Sequence, residues 1–187
     1  MSSIVLIRHG ETDWNVEGRY QGQADPPLNS QGILQARQLA LELHNSSIEI
    51  LYTSPLQRTK QTAQFLSDRL GIPQIDDPRL MEIHQGDWQT RLRTDIERLY
   101  PELFKSWEAD PWGVTPPGGE NLSQVQSRVN DALDDIQQLD TYHKIGIVTH
   151  RIPIALIKVR YQAMDPDIVR TIHLPNTFWE EISLPSP

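Results

Sequence analysis

Three short apolar runs in this chain each stop abruptly at a reactive polar residue, and that repeated boundary limits what the chain can fold into. Ile4-Val5-Leu6-Ile7 gives way to Arg8-His9-Gly10-Glu11-Thr12. Ile48-Glu49-Ile50-Leu51-Tyr52 stops at Thr53-Ser54-Pro55, just ahead of Leu56-Gln57-Arg58. Lys144-Ile145-Gly146-Ile147-Val148-Thr149 ends on His150. Runs this short and this rich in β-branched residues read as strands, the first of them buried on both faces.

Between these runs the apolar spacing becomes helical. Residues 31–44 place Ile33, Ala36, Leu39, Ala40 and Leu43 on one face, and residues 56–70 turn Ala63, Leu66 and Leu70 inward before Gly71 stops the helix. A longer helix spans 122–139 through Leu122, Val125, Val129, Leu133 and Ile136, and another covers 153–163. Residues 72–83 run extended, and a last strand lies near 178–184. Strands alternating with helices predict an α/β domain over residues 1–187, its sheet mostly parallel with helices on both faces. Residues 84–120 break the pattern, with a short helix near 91–99, three tryptophans and the turn Pro116-Pro117-Gly118-Gly119. They read as a small inserted lobe or lid, its tryptophans forming lobe core rather than a ligand stack, with one of them a candidate to line the entrance.

In a parallel sheet the carboxyl ends of the strands share one edge, and ligands bind in the crevice there. Arg8-His9, Ser54 to Arg58, and Thr149-His150 are therefore expected to meet, with Glu82 joining from the end of the extended stretch. Two histidines, several arginines and one carboxylate suit phosphoryl transfer. A neutral imidazole is a competent nucleophile near neutral pH. Guanidinium groups offer paired donors to phosphate oxygens. A carboxyl group supplies the proton that the departing alkoxide needs and later takes one from water.

Charge and composition narrow the partners. Asp and Glu number 25 against 17 Lys and Arg, a net charge of −8, which disfavours nucleic acid as a partner. A few arginines facing one cleft still reverse the sign locally for a small phosphorylated substrate. There are no cysteines, so disulfides, thiolate metal sites and cysteine nucleophiles are excluded together. No histidine or carboxylate pair has metal-ligand spacing, and neither metal nor cofactor is expected. No apolar run approaches a membrane span. Met1-Ser2-Ser3 passes into a strand without a secretory pattern, so the cytoplasm is the default location. Oligomeric state cannot be read from the sequence. His44, His84, His143 and His173 read as ordinary, and Gly118-Gly119 as a turn rather than a phosphate cradle.

Leu6-Ile7-Arg8-His9-Gly10-Glu11-Thr12-Asp13-Trp14-Asn15 resembles the opening signature of the histidine phosphatase superfamily, which includes the phosphoglycerate mutases. The resemblance continues in order through Gln21-Gly22, Asp25-Pro26-Pro27-Leu28-Asn29, Ser54-Pro55-Leu56-Gln57-Arg58-Thr59, Met81-Glu82-Ile83, Pro117-Gly118-Gly119-Glu120-Asn121 and Val148-Thr149-His150. It implies a doubly wound sheet with one antiparallel edge strand, for which residues 178–184 are the candidate. It implies that His9 is phosphorylated, that Glu82 donates the proton, and that His150 contacts the phosphoryl group. Arg8, Asn15 and Arg58 would bind phosphate oxygens or orient His9, with Gln21 and Gly22 along the substrate path.

The chain departs from the pattern at two places. Arg151 follows the second histidine where the family commonly has glycine. Its side chain either narrows the pocket, reaches back as an extra anion contact, or points into solvent. Trp88-Gln89-Thr90 stands where a Trp-Glu-Gly run is often found. The expected activity is phosphomonoester hydrolysis of a small metabolite. The alternatives are a mutase, which family members achieve with a longer insert after the carboxylate, and a non-catalytic phosphate-binding module.

Overall fold

Strand β1 (Ser3–Arg8) lies inside a five-stranded sheet in the computed structural model, which describes residues 3–139 and 141–184. The strands run in the order β3-β2-β4-β1-β5, with β2 at Ile50–Thr53, β3 at Gln74–Asp76, β4 at Lys144–Thr149 and β5 at Trp179–Ser183. Every pairing is parallel except the last, in which β5 runs antiparallel to β1 at one edge. The sheet is doubly wound and carries the expected antiparallel edge strand.

Alternate side chains of the strands divide the core in two, as the period of a strand requires. Ile4, Leu6, Ile50, Tyr52, Ile145 and Ile147 face α6 (Leu122–Gln138) and α7 (Arg151–Gln162). Val5, Ile7, Leu51 and Val148 face α2 (Ser30–Glu42) and α3 (Gln57–Leu70). Both faces of these central strands are apolar, so each face packs under its own layer of helices. Leu122, Val125, Val129, Leu133 and Ile136 all point inward from α6, as their spacing predicts.

The stripe on α2 is displaced from its expected position. Ile33 is 36% exposed, and Gly32 takes the inward place ahead of Ala36, Leu39 and Ala40. The cause is a close backbone approach, since a Cβ on Gly32 would lie 2.1 Å from the Glu11 carbonyl oxygen. The loop after β1 thus presses on α2 and rotates its buried face away from Ile33.

Several boundaries also differ from expectation. The extended stretch after α3 holds only the short β3, followed by a 3₁₀ turn at Pro78–Leu80. Residues 84–120 contain α4 (Arg93–Leu99) and also α5 (Pro101–Ala109), whose buried face rests on Phe104 and Trp107 alone, too few to set a period. Trp88 and Trp107 are buried there and stack edge to face, with ring centroids 5.8 Å apart. They join the same apolar cluster as Leu6 and Ile147. The polar loop after β1 carries a short helix, α1 (Asp13–Glu17), and another, α8 (Ile168–Thr171), follows α7. Among the described residues no helix is long and apolar enough to cross a membrane. Met1 and Ser2, on which the expectation for the N-terminus rests, lie outside the described residues.

Candidate active site

Parallel pairing brings Arg8 of β1 opposite Thr149 of β4, and Thr53 of β2 opposite Val148. The residues that follow, His9, His150 and Ser54, therefore emerge side by side at the carboxyl edge. The His9 and His150 rings lie 5.2 Å apart between centroids, and both residues are buried. Arg8, His9, Asn15, Gln21, Gly22, Arg58, Glu82 and Arg151 all line one cavity of about 560 Å³, the size of a small-molecule site. His150 is fully buried beside His9 and is not itself among the residues lining the cavity.

The peptide of His9 is clamped on both sides. Its N–H donates to the Thr149 carbonyl (3.1 Å), and its carbonyl accepts from Thr177 N and Asn176 Nδ2 (both 3.2 Å). Nδ1 lies 2.7 Å from the Gly10 carbonyl, which accepts only, so the hydrogen-bond network places the ring proton on Nδ1. The lone pair then belongs to Nε2. Burial, and next the charges of Arg58 and Arg8, hold the His9 imidazole well below its ordinary range, so the ring is neutral near pH 7.

Ser54 orients the second histidine in a similar way. Its Oγ accepts from Leu56 N (3.4 Å) and lies 2.9 Å from His150 Nε2, to which its hydroxyl donates. That assignment puts the His150 proton on Nδ1, a buried atom with no partner among the described residues. Burial again dominates, followed by Arg58 and His9, and keeps this ring neutral too. His150 is also the cap of α7, whose first turn presents Arg151 and Ile152 to the cavity, and the positive end of the helix dipole favours an anion there.

The two arginines are anchored through their terminal nitrogens. Arg58, 1% exposed, donates from Nη1 to the Ala24 carbonyl (2.8 Å) and from Nη2 to the Gly22 carbonyl (2.7 Å). Arg8 donates from Nη1 to the Leu174 carbonyl. In both, Nε is buried with no partner among the described residues. Burial lowers each guanidinium to about 10, and the Glu82 carboxylate offsets part of that loss. Gly22 has φ +52°, and a Cβ there would fall 2.4 Å from Gln89 Oε1, so only glycine keeps this carbonyl turned to Arg58. Asn15 Oδ1 accepts from Thr12 N (3.1 Å) and Asn176 Nδ2 (3.3 Å), which leaves its amide nitrogen as the group it can offer the cavity.

Glu82 stands opposite these cations, half-buried, with Oε1 accepting the Ile83 N–H (3.0 Å) and Oε2 left for the cavity. Its loop is mounted on a pair that sequence reasoning missed. Arg128 of α6 donates to the carbonyls of Arg79 (2.7 Å), Met81 (2.6 Å) and Glu82 (2.9 Å) while pairing with Glu120 (2.9 Å). Burial pushes the Glu120 carboxyl up, but Arg128 and the His84 N–H outweigh it and hold the group below its ordinary range. Helical spacing marks Arg128 only as a polar position beside Val129, so nothing local announces this role. Gln85, Arg19, Arg93 and Arg170 also line the cavity, and no motif in the sequence singles them out. Arg151 faces the cavity half-buried and donates to the Val169 carbonyl (2.9 Å), which excludes the solvent-directed orientation.

A nucleophilic lone pair, unpartnered N–H donors around it and a carboxylate opposite are the parts that phosphoryl transfer requires. The family model of the histidine phosphatase superfamily, branch 1, matches residues 4–185. Phosphoserine phosphatase 1 of Hydrogenobacter thermophilus is 36% identical over 154 residues, covering 82% of this chain and 73% of that protein. A probable phosphoglycerate mutase of Serratia proteamaculans is 37% identical over 161 residues, covering 84% and 73%. The solved structure of mycobacterial glucosyl-3-phosphoglycerate phosphatase with VO3 superimposes with a TM-score of 0.89 at 28% identity, covering 98% of this chain and 91% of that one.

Proposed function

The chain belongs to the histidine phosphatase superfamily, and from that premise we propose that it hydrolyses phosphomonoesters of small metabolites through a phosphohistidine on Nε2 of His9. The observation that carries this reading is a neutral His9 held beside His150, with the unpartnered Nε donors of Arg8 and Arg58 in the same cavity wall.

Nε2 attacks phosphorus, and the bond from phosphorus to the ester oxygen breaks. Positive charge develops on the ring, and the hydrogen bond from Nδ1 to the Gly10 carbonyl stabilises it. Arg8, Arg58 and Asn15 hold the non-bridging oxygens from the cavity wall, and the unpartnered Nδ1–H of His150, buried beside His9, takes the innermost of them once the phosphoryl group is seated. The Glu82 carboxyl gives its proton to the departing alkoxide. The resulting carboxylate takes a proton from water, whose oxygen attacks the phosphohistidine, and this restores His9 and the protonated acid while releasing phosphate. Gln21, Gly22 and Arg151 line the path by which the ester reaches His9. The segment 84–120 lends Gln85, Arg93, Trp107, Glu108 and Pro111 to the same cavity.

The test is hydrolysis of a generic aryl phosphate. His9→Ala is expected to abolish turnover, and Glu82→Gln to slow esters with poor leaving groups far more than good ones. Turnover by His9→Ala equal to that of the native protein overturns the reading. The likeness to a probable mutase favours a second reading, return of the phosphoryl group to substrate. Phosphate release and isomerisation, followed together with a phosphoglycerate, separate the two.

A further inference from the structure

The cavity holds more positive charge than one phosphoryl group uses. Six arginines line it against two carboxylates, Glu82 and Glu108, in a chain whose net charge is −8. Arg8 and Arg58 serve the strand-end chemistry. Arg19 pairs with Glu17, and Arg93 with Glu108. Arg151 and Arg170 remain, and neither has a carboxylate partner among the described residues. Among the described residues the one partner of the Arg151 guanidinium is a neutral carbonyl, that of Val169.

The free protein gains nothing evident from this placement. Arg151 is the first residue of α7, where the positive end of the helix dipole opposes a cation. Its charge also works against that of Arg8. Arg170 lies in the last turn of α8, next to Val169, whose carbonyl holds the Arg151 guanidinium, so the two arginines line the same cavity from the adjoining α7 and α8. The indole Nε1 of Trp112 donates to the Pro166 carbonyl (3.2 Å) and ties the start of this segment to residues 84–120. Unbalanced like charges gathered in a cleft are relieved when an anion enters it.

We propose that Arg151 and Arg170 form a second anion site, so that the substrate is a phosphomonoester carrying a further anionic group, a carboxylate or a second phosphoryl. The proposal rests on the phosphatase reading for the first phosphoryl group only. The second group binds away from the reacting phosphorus, so its contribution appears in KM more than in kcat. Guanidinium groups recognise both anions through paired donors, which is the chemistry the two candidates share.

The probes are propyl phosphate and its carboxylate-terminated and phosphate-terminated counterparts on the same three-carbon chain, with an aryl phosphate as reference. The native protein is expected to favour at least one anion-terminated probe over propyl phosphate by about tenfold or more in kcat/KM. Whichever terminus is preferred identifies the second group. Arg151→Gly and Arg170→Gln should each shrink that ratio toward one, chiefly through KM, and Arg170→Lys should restore part of it. Arg170 is exposed, so its variants test the site even if Arg151→Gly folds poorly.

Turnover of the aryl phosphate with no preference among the three probes, or a preference that survives both substitutions, overturns the second site and leaves the phosphatase reading intact. If nothing is turned over, calorimetric titration of the same probes decides. Tighter binding of an anion-terminated probe, lost in both variants, supports the site while removing the phosphatase reading. Equal binding overturns the site.

Discussion

The two walls of the cavity are built on opposite terms. The inner wall, at the ends of β1, β2 and β4, buries His9, Arg58 and His150, and main-chain carbonyls anchor the His9 ring and the terminal nitrogens of Arg58. Arg8 Nε, Arg58 Nε and His150 Nδ1 are buried there without a partner among the described residues. The outer wall comes from short helices, the seven residues of α4 and the four of α8, and its best-defined ion pair is exposed on both sides. The inner wall has given up solvation to hold one geometry, whereas the outer wall keeps its solvent. The reacting step gains from a fixed, dry field, while recognition of different substrates tolerates a wall that changes.

That contrast can be broken most directly at Arg58. Arg58→Ala removes the donor proposed for the transferring group and strands the Gly22 and Ala24 carbonyls, so kcat/KM for an aryl phosphate should fall roughly a thousandfold. A loss under tenfold in a folded protein would mean that the inner wall is not preorganised for transfer.

Acid should expose the same wall. His9 and His150 are held well below their ordinary range, so between that folded value and the unfolded one near 6.5 the unfolded chain binds protons that the folded one refuses. Their contribution is complete above pH 6.5 and is lost as pH falls toward the folded values, on the order of 2 kcal/mol per pH unit for the pair. Urea unfolding at pH 7 and at about pH 5.5 measures this, and stability that stays level over the interval contradicts it. Turnover should decline in acid too, once His9, the proposed nucleophile, begins to protonate.

The smallest effect belongs to the outer wall. Arg93→Gln breaks the pair with Glu108, whose side chains are 59% and 41% exposed, and should change stability by less than about 0.5 kcal/mol. A larger change in the midpoint of urea unfolding would show that this wall is as rigid as the inner one.

Much of the inner wall is legible in the amino-acid order. A buried strand that stops at Arg8-His9, and another at His150, place both histidines at one edge because parallel pairing leaves no other arrangement. Helical periodicity places Val125, Val129 and Leu133 correctly. It fails at Ile33, where backbone contact with the Glu11 loop, invisible to any hydrophobic pattern, rotates α2. It passes over α5 and α8, whose apolar residues are too few to set a period.

The order of residues by itself therefore determined the sheet, the strand-end meeting of His9, Ser54 and His150, and the family resemblance, because these follow from local runs and their boundaries. Tertiary structure alone decided that Arg128 would mount the Glu82 loop, that Ser54 would set the tautomer of His150, and that Arg151 would turn into the cavity. Those outcomes depend on partners 46, 96 and 18 residues away along the chain. Which carbonyl or hydroxyl stands within reach of a long side chain is fixed only when separate segments pack together.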